Sequence, residues 1–103
     1  MTDFSIRVER GNPPATVTVT GEIDLATADD LARALSAVTD LAVRVDLTDV
    51  EFFGAAAVSA IAEGAAACAR LGNRLVVTGY SPVTRTLFEL CELEALLGEP
   101  ARG

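Results

Sequence analysis

Hydrophobic and polar residues alternate along the first twenty positions of the chain in a pattern typical of β-strands. Apolar residues occupy every second position from Phe4 to Val8, and Val17 and Val19 alternate with threonines. The Gly-Asn-Pro-Pro run at residues 11–14 breaks the chain between these segments. The pattern therefore predicts two strands that are joined by a turn and pair in an antiparallel manner.

The next segment has the spacing of a helix. Thr27 followed by Asp30 resembles a capping box in which Asp replaces the usual Glu. Leu31, Leu35 and Val38 then recur three or four residues apart, as residues on the buried face of a helix do. These residues predict the first helix.

A third strand and a second helix follow. Alternating apolar residues from Val43 onward predict a strand that ends at Phe53. The second helix is predicted to begin at Gly54 or Ala55 and to end near Gly72. One apolar stripe along this helix consists of Val58, Ile61, Ala65 and Cys68.

The last two predicted elements are a short strand and a third helix. The apolar run Leu-Val-Val at residues 75–77 is closed by a glycine and predicts the strand. Ser81 followed by Pro82 is typical of an N-cap with proline at the first helical position. The third helix is predicted to run through Leu87 and Leu90.

Strands that alternate with helices need crossover connections and hence a mostly parallel sheet. The sequence predicts an α/β fold with a single mixed, mostly parallel β-sheet and packed helices in the order ββαβαβα. Residues 1–103 are expected to form one domain, because 103 residues are too few for separate cofactor and substrate lobes. The tail at residues 99–103 is expected to be frayed.

Charge and composition narrow the class of partner. With eight basic and fifteen acidic residues, the net charge of −7 argues against a nucleic-acid partner and favours a basic protein surface as the partner.

The chain has no histidine, the usual general base, so we expect neither an enzyme nor a cofactor. No apolar run approaches a membrane span and no signal peptide is recognised, so we expect a cytoplasmic protein without membrane insertion.

Three acidic residues on the third strand and the segment after it, Asp46, Asp49 and Glu51, could suggest metal or acid–base chemistry. No other ligand type accompanies them, so a solvated acidic edge is the simpler interpretation and no metal site is predicted. Gly72 followed by Asn73 lacks the spacing and the Lys of a phosphate loop. It therefore indicates the C-terminal cap of the second helix.

The two cysteines are too few for a zinc site and too far apart for a CxxC redox motif. Cys68 is predicted to be a core residue and Cys91 to be semi-buried, both as free thiols. A regulatory disulfide between them is the alternative. Arg85 is expected to pair with a neighbouring acid on the surface of the third helix.

The corner between the third strand and the second helix is a common place for a reactive group in α/β proteins. Here it holds only Gly and Ala. The Gly-Glu-Ile-Asp run at residues 21–24 could be an acidic binding loop or a turn into the first helix, and the pattern favours the turn. Because neighbouring parallel strands end at one sheet edge, we expect Glu22 and Asp24 to lie beside the corner at Gly54.

Four segments in this order and spacing resemble the STAS domain of the bacterial anti-sigma factor antagonist family. They are GEID at residues 21–24, VDLTDVEFF at 45–53, GNRLVV at 72–77 and SPVTRTLFEL at 81–90. The resemblance covers nearly the whole chain and implies the STAS fold. It also implies a signalling protein that docks on an anti-sigma factor with a GHKL-type serine kinase fold and displaces a sigma factor, so that transcription can start.

In this family the kinase switches the antagonist off by phosphorylating a serine at the start of the second helix. The family motif Asp-Ser-Ser/Thr-Gly-Leu falls on residues 54–58, with Gly54 at the acid and Ala55 at the phospho-acceptor. The resemblance therefore implies that this chain is not switched by phosphorylation at Ala55. Ser59, one helical turn further on, is the nearest hydroxyl and is interpreted as an ordinary helix residue.

The partner-binding residues implied by the resemblance and by the shared sheet edge are Glu22, Asp24, Gly54, Ala55, Ala56 and Val58. The family usually has Thr-Gly where this chain has Cys91 and Glu92, so the end of the third helix differs as well. Three alternatives stay open: an antagonist that is always competent, one regulated through a thiol or a ligand, and a diverged STAS accessory subunit of a transporter or other signalling complex. Weak association of two copies of this chain into a homodimer is a further possibility.

Overall fold

Three segments with alternating apolar residues and one short apolar run form strands, and three segments with apolar residues at helical spacing form helices. The computed structural model describes residues 4–102. Its strands are β1 (Phe4–Glu9), β2 (Ala15–Ile23), β3 (Val43–Phe53) and β4 (Leu75–Thr78), and its helices are α1 (Leu25–Ser36), α2 (Ala55–Arg70) and α3 (Pro82–Leu90). The predicted order is confirmed. A short 3-10 helix (Glu94–Leu96), which the pattern did not predict, follows α3.

The strands form one sheet in the order β1-β2-β3-β4. β1 pairs antiparallel with β2, whereas β2 with β3 and β3 with β4 are parallel, so the predicted mixed sheet is confirmed. Val17, Val45 and Val77 lie opposite one another in this register and are fully buried in the core. Their sequence neighbours point to the other face of the sheet and stay partly exposed, which explains the alternation.

α1 begins three residues earlier than the predicted capping box implies. Asp24 is the N-cap, and its carboxylate accepts hydrogen bonds from the N–H groups of Ala26 (3.0 Å) and Thr27 (3.2 Å). The Thr27 hydroxyl in turn accepts from the Asp24 N–H (3.0 Å), which completes a capping box. The predicted box of Thr27 and Asp30 is therefore wrong, and Asp30 pairs instead with Arg33 on the helix surface.

β2 continues through most of the run that the pattern favoured as a turn. Gly21 has a φ of 88°, and the pairing register shifts directly after it. Glycine adopts this left-handed conformation without steric cost, so the strand bends there and still pairs, with Glu22 opposite Phe52. Residues 21–23 are consequently strand, and only Asp24 belongs to the turn into α1.

α3 starts at its predicted cap and packs on the core through one aromatic ring. Ser81 is the predicted N-cap, and its hydroxyl accepts from the Thr84 N–H (3.2 Å). Thr84 and Phe88 are buried, and the Phe88 ring stacks on Phe53 with 6.1 Å between ring centroids. α3 ends at Leu90, so its predicted extent through Leu87 and Leu90 is confirmed. Leu90 is 76% exposed, because two residues past Phe88 the helix has turned by about 200°.

The C-terminal tail runs along β4, where the sequence predicted a frayed end. Three backbone hydrogen bonds of 2.7–2.9 Å join residues 98–101 to residues 77–80. The tail is held because the outer edge of β4 offers backbone groups that need partners. The last residue of the segment that was expected to be frayed, residue 103, lies outside the described residues.

α2 and α3 end in the same backbone motif, built on different residues. After α3, the Leu93 N–H donates to the Phe88 carbonyl (2.8 Å), and an equivalent bond of 2.8 Å reaches the Cys68 carbonyl after α2. Both ends are Schellman motifs, which confirms the predicted cap at Gly72. The left-handed position is Gly72 (φ 78°) after α2 but Glu92 (φ 57°) after α3. A residue with a side chain is strained there.

Glu92→Gly is expected to raise the free energy of unfolding by about 0.5–1 kcal/mol, because glycine relieves this strain. Glu92→Ala removes the charge but keeps the strained φ, so it should give no comparable gain. Gly72→Ala tests the same geometry in reverse: no atom lies within 4 Å of the added methyl group, so its loss of stability comes from the backbone alone. Urea denaturation measures all three variants, and a Glu92→Gly protein less stable than the parent contradicts the explanation.

Candidate functional site

The parallel pairing of β2 with β3 brings the starts of α1 and α2 to one edge of the sheet. The last paired residues are Ile23 and Phe53, and the Gly54 N–H donates to the Ile23 carbonyl (3.0 Å). Glu22 lies opposite Phe52 and is therefore next to the corner at Gly54. The predicted proximity of the acidic run and the corner is confirmed.

The two acidic residues at this edge differ in what they offer a partner. Asp24 is half-buried, and its carboxylate is engaged by the N–H groups of Ala26 and Thr27. Its first role is therefore to start α1. Glu22 is exposed, and the Thr27 hydroxyl donates to its backbone carbonyl (3.3 Å). Within residues 4–102 its carboxylate makes no side-chain hydrogen bond or ion pair, so it is free to meet a partner.

The corner itself is built from small residues. Gly54 is the N-cap of α2 and provides no side-chain hydrogen bond, although its carbonyl accepts from the Ala57 N–H (3.1 Å). Ala55 is exposed and Ala56 half-buried, and their two N–H groups have no acceptor within the helix. A methyl group added at Gly54 would meet the Phe52 ring at 3.4 Å, an ordinary contact, so the position can carry a side chain.

Val58 is a core residue, which corrects its assignment to the partner-binding set. It is 1% exposed, and Ala57 beside it is fully buried. α2 turns this side toward the protein interior, whereas Ala55 and Ser59, one helical turn apart, face outward. A partner that docks on the start of α2 therefore meets Ala55 first.

Two large apolar side chains that the sequence reasoning did not single out flank the corner. Phe52 is 54% exposed, and Leu25, the first residue of α1, is 82% exposed. Adjacent strand residues point to opposite faces, so the Phe52–Phe53 pair was a signal that one of these rings must face outward. A shallow groove between α1 and α2 is lined by Leu25, Ala28, Ala56, Ser59 and Glu63. We call Glu22, Leu25, Phe52, Gly54, Ala55 and Ala56 together the corner surface.

The acidic residues of β3 have the geometry of a solvated edge. Asp46 accepts from the backbone N–H (2.9 Å) and the hydroxyl (2.6 Å) of Thr48, while Asp49 and Glu51 are exposed. In residues 4–102 we find no group of three or more His, Cys, Asp or Glu side chains that could hold a metal ion. In the same part of the chain, no helix is long and apolar enough to cross a membrane.

Both cysteines are free thiols, as predicted. Cys68 is buried in the core, and this burial raises the pKa of its thiol. Cys91 was predicted to be semi-buried but is exposed, because α3 ends at Leu90 and leaves it at the C-cap. Arg85 pairs with Glu89, one helical turn away at 3.8 Å, as predicted.

Solved structures of other proteins share this arrangement of strands and helices. The anti-sigma factor antagonist SpoIIAA in its unphosphorylated form superposes with a TM-score of 0.81 at 13% identity, over 92% of this chain and 87% of SpoIIAA. An anti-sigma-factor antagonist (STAS) domain protein from Planctomyces limnophilus gives a TM-score of 0.75 at 14% identity, over 95% of this chain and 91% of its own. These similarities establish the STAS fold.

Sequence similarity then gives the family. The family model described as "Mlab, STAS domain" matches residues 6–98. An anti-sigma factor antagonist from Mycobacterium paratuberculosis is 30% identical, with a TM-score of 0.79 over 97% of this chain and 87% of its own. No curated protein sequence matches the chain. The chain belongs to the STAS domain family, as the resemblance indicated.

Substitutions at Asp24, the N-cap of α1, distinguish the capping hydrogen bonds of its side chain from its negative charge. Asp24→Ala is expected to lower the free energy of unfolding by about 1 kcal/mol, because the N–H groups of Ala26 and Thr27 lose their acceptor. Asp24→Asn keeps a capping oxygen and should remain close to the parent. Glu22→Gln is the matched control, because it removes a charge at the same sheet edge without removing a cap, and it should leave the free energy of unfolding unchanged. Urea denaturation measures these differences, and an Asp24→Ala protein as stable as the parent contradicts the assignment of the cap.

Proposed function

We propose that this STAS domain is an anti-sigma factor antagonist. It binds an anti-sigma factor of the GHKL kinase type through the corner surface and thereby releases a sigma factor. Support comes from the relative at 30% identity, which is described as an anti-sigma factor antagonist. The observation that carries the proposal is the position of Glu22 and the exposed start of α2 at one sheet edge, joined by the bond from Gly54 to Ile23.

The corner surface has the chemical features of a protein docking site. Phe52 and Leu25 provide apolar area that a partner can bury, and such buried anchors supply most of the affinity of an interface. Glu22 provides a negative charge beside them. The net charge of −7 favours encounter with a basic partner surface, because long-range attraction mainly raises the association rate.

The proposed antagonist lacks the phosphorylation switch of its family. Residues 54–58 contain no hydroxyl, so Ala55 cannot accept a phosphate. Ser59 is exposed and lines the groove between α1 and α2, but it lies a full turn away from the acceptor position. The protein is therefore constitutively competent to bind, and its activity follows from its abundance.

A second candidate function rests on the same missing hydroxyl. A STAS accessory subunit of a transporter or another signalling complex, with or without a bound ligand, has no need of a kinase-controlled acceptor at Ala55. Copurification from native cells separates the two candidates. Recovery of a GHKL-type ATPase favours the antagonist, whereas recovery of a membrane transport complex favours the accessory subunit.

Ala55→Asp is expected to abolish binding to the anti-sigma kinase without unfolding the domain. A carboxylate in the first turn of α2 interacts favourably with the helix dipole, so the melting temperature should not fall. At the interface the added charge and bulk act as a phosphate would, and we expect the dissociation constant to rise at least about tenfold. Isothermal titration calorimetry with the purified kinase domain measures the change.

The matched control for this variant is Ala55→Asn, which has nearly the same size but no charge. Its loss of affinity should be smaller than that of Ala55→Asp, because only the steric part remains. If Ala55→Asp binds as tightly as the parent, the start of α2 is not part of the docking surface and the proposed function loses its structural basis.

A further inference from the structure

We propose that the outer edge of β1 is a self-association surface, on which β1 of a second copy of this chain pairs in an antiparallel manner about a two-fold axis. Two features carry this inference. The strand edge is open, and it bears opposite charges two residues apart on one face of the sheet, at Arg7 and Glu9. Such a strand is complementary to itself when it is turned around.

The edge of β1 is regular as well as open. β1 is the outermost strand on its side of the sheet, and within residues 4–102 its far side has no strand partner. All of its residues pair with β2 in continuous register, from Phe4 opposite Gly21 to Glu9 opposite Thr16. The strand therefore contains no bulge, and its sequence contains no proline. Bulges and prolines are two of the devices that keep edge strands from pairing with other chains.

The other side of the sheet is a poorer template for a second strand. The outer edge of β4 is covered by residues 98–101. β3 extends beyond its pairing with β4, from Leu47 to Phe53, but its pairing with β2 contains two register shifts along this stretch. Such shifts bend a strand and disturb its hydrogen-bonding groups. In the described part of the chain, β1 is thus the most regular open edge.

Charge selects the register of the second copy. Opposite residues in an antiparallel pair share a face of the sheet, so a two-fold axis at Val8 places Arg7 of each copy opposite Glu9 of the other. An axis at Arg7 would set two arginines against each other, and an axis at Ile6 would place Arg7 opposite Ser5 without an ion pair. Because opposite charges directly across a strand pair stabilise it and like charges destabilise it, the axis at Val8 is favoured.

The side chains that this register uses are accessible. Those of Arg7 and Glu9 are 74% and 67% exposed, and their contact along the strand is a loose 3.9 Å. Val8 is 38% exposed and lies opposite the buried Val17, on the face of the sheet that carries the core. A second copy would cover Val8 with its own Val8 while the ion pairs form on the other face.

The dimer is expected to be weak. In this register only residues 7–9 of each β1 lie opposite β1 of the other copy, since residues 4–6 fall opposite residues 10–12 beyond the end of the strand. Such a contact buries far less than the roughly 1,200–2,000 Å² of a stable interface, and the net charge of −7 on each copy opposes association. β1 itself carries one Arg and one Glu, so the contact is locally neutral. We expect a dissociation constant of about 0.1–1 mM.

Sedimentation equilibrium over about 10 μM to 1 mM protein, at about 0.15 M salt, tests this surface with four samples besides the parent. Arg7→Glu and Glu9→Arg each set like charges opposite one another, and each should raise the dissociation constant at least about tenfold. An equimolar mixture of these two single variants recreates opposite charges between unlike copies. The double variant Arg7→Glu/Glu9→Arg recreates them between like copies. Both samples should associate as the parent does.

Recovery in the mixture and in the double variant supports the proposed register. Glu9→Arg excludes a general effect of net charge, because it makes each copy less negative, which by itself would favour association, and yet it is expected to weaken the dimer. Circular dichroism melts confirm that the exposed substitutions leave the domain folded. The inference is overturned if the parent stays monomeric up to about 1 mM, which needs no variant to establish. It is equally overturned if the mixture associates no better than the single variants alone.

Discussion

Parallel pairing of β2 with β3 requires a crossover connection, and α1 supplies it, so both strands end at the same edge of the sheet. The hydrogen bond from the Gly54 N–H to the Ile23 carbonyl closes this edge, and a helix starts after each strand. Every residue of the corner surface depends on this constraint. Glu22, Phe52 and Ala55 are held together by the sheet and the helix starts, with no long loop needed to position them.

The two helix starts at this edge are stabilised in different ways. α1 has a side-chain cap, because Asp24 and Thr27 form a reciprocal pair of hydrogen bonds with each other's backbone. α2 begins at Gly54 without any side-chain cap. Alanine at the first helical position is a good helix former, so α2 keeps its start without a capping side chain. The shape of this corner therefore does not depend on a polar side chain at Gly54 or Ala55.

Local periodicity made the strands and α-helices predictable, because buried faces repeat every second residue in strands and every third or fourth in helices. Features that depend on tertiary contacts could not be predicted in this way. Thr27 can serve as an N-cap or as the partner of one, and only the continuation of β2 to Ile23 decides between these roles. Likewise, the exposure of Phe52, Leu90 and the start of α2 depends on which faces the core covers, which periodicity at the ends of elements leaves ambiguous.

Chemical-shift mapping shows whether a partner docks on the corner surface. The ¹⁵N-labelled domain is titrated with the purified kinase domain of the anti-sigma factor proposed as its partner. If the corner surface is the docking face, the largest amide shifts cluster at Glu22, Leu25, Phe52 and residues 54–56, and the outer edge of β1 is unaffected. Large shifts confined to α3 or to the open face of the sheet, with the corner surface unchanged, would contradict it.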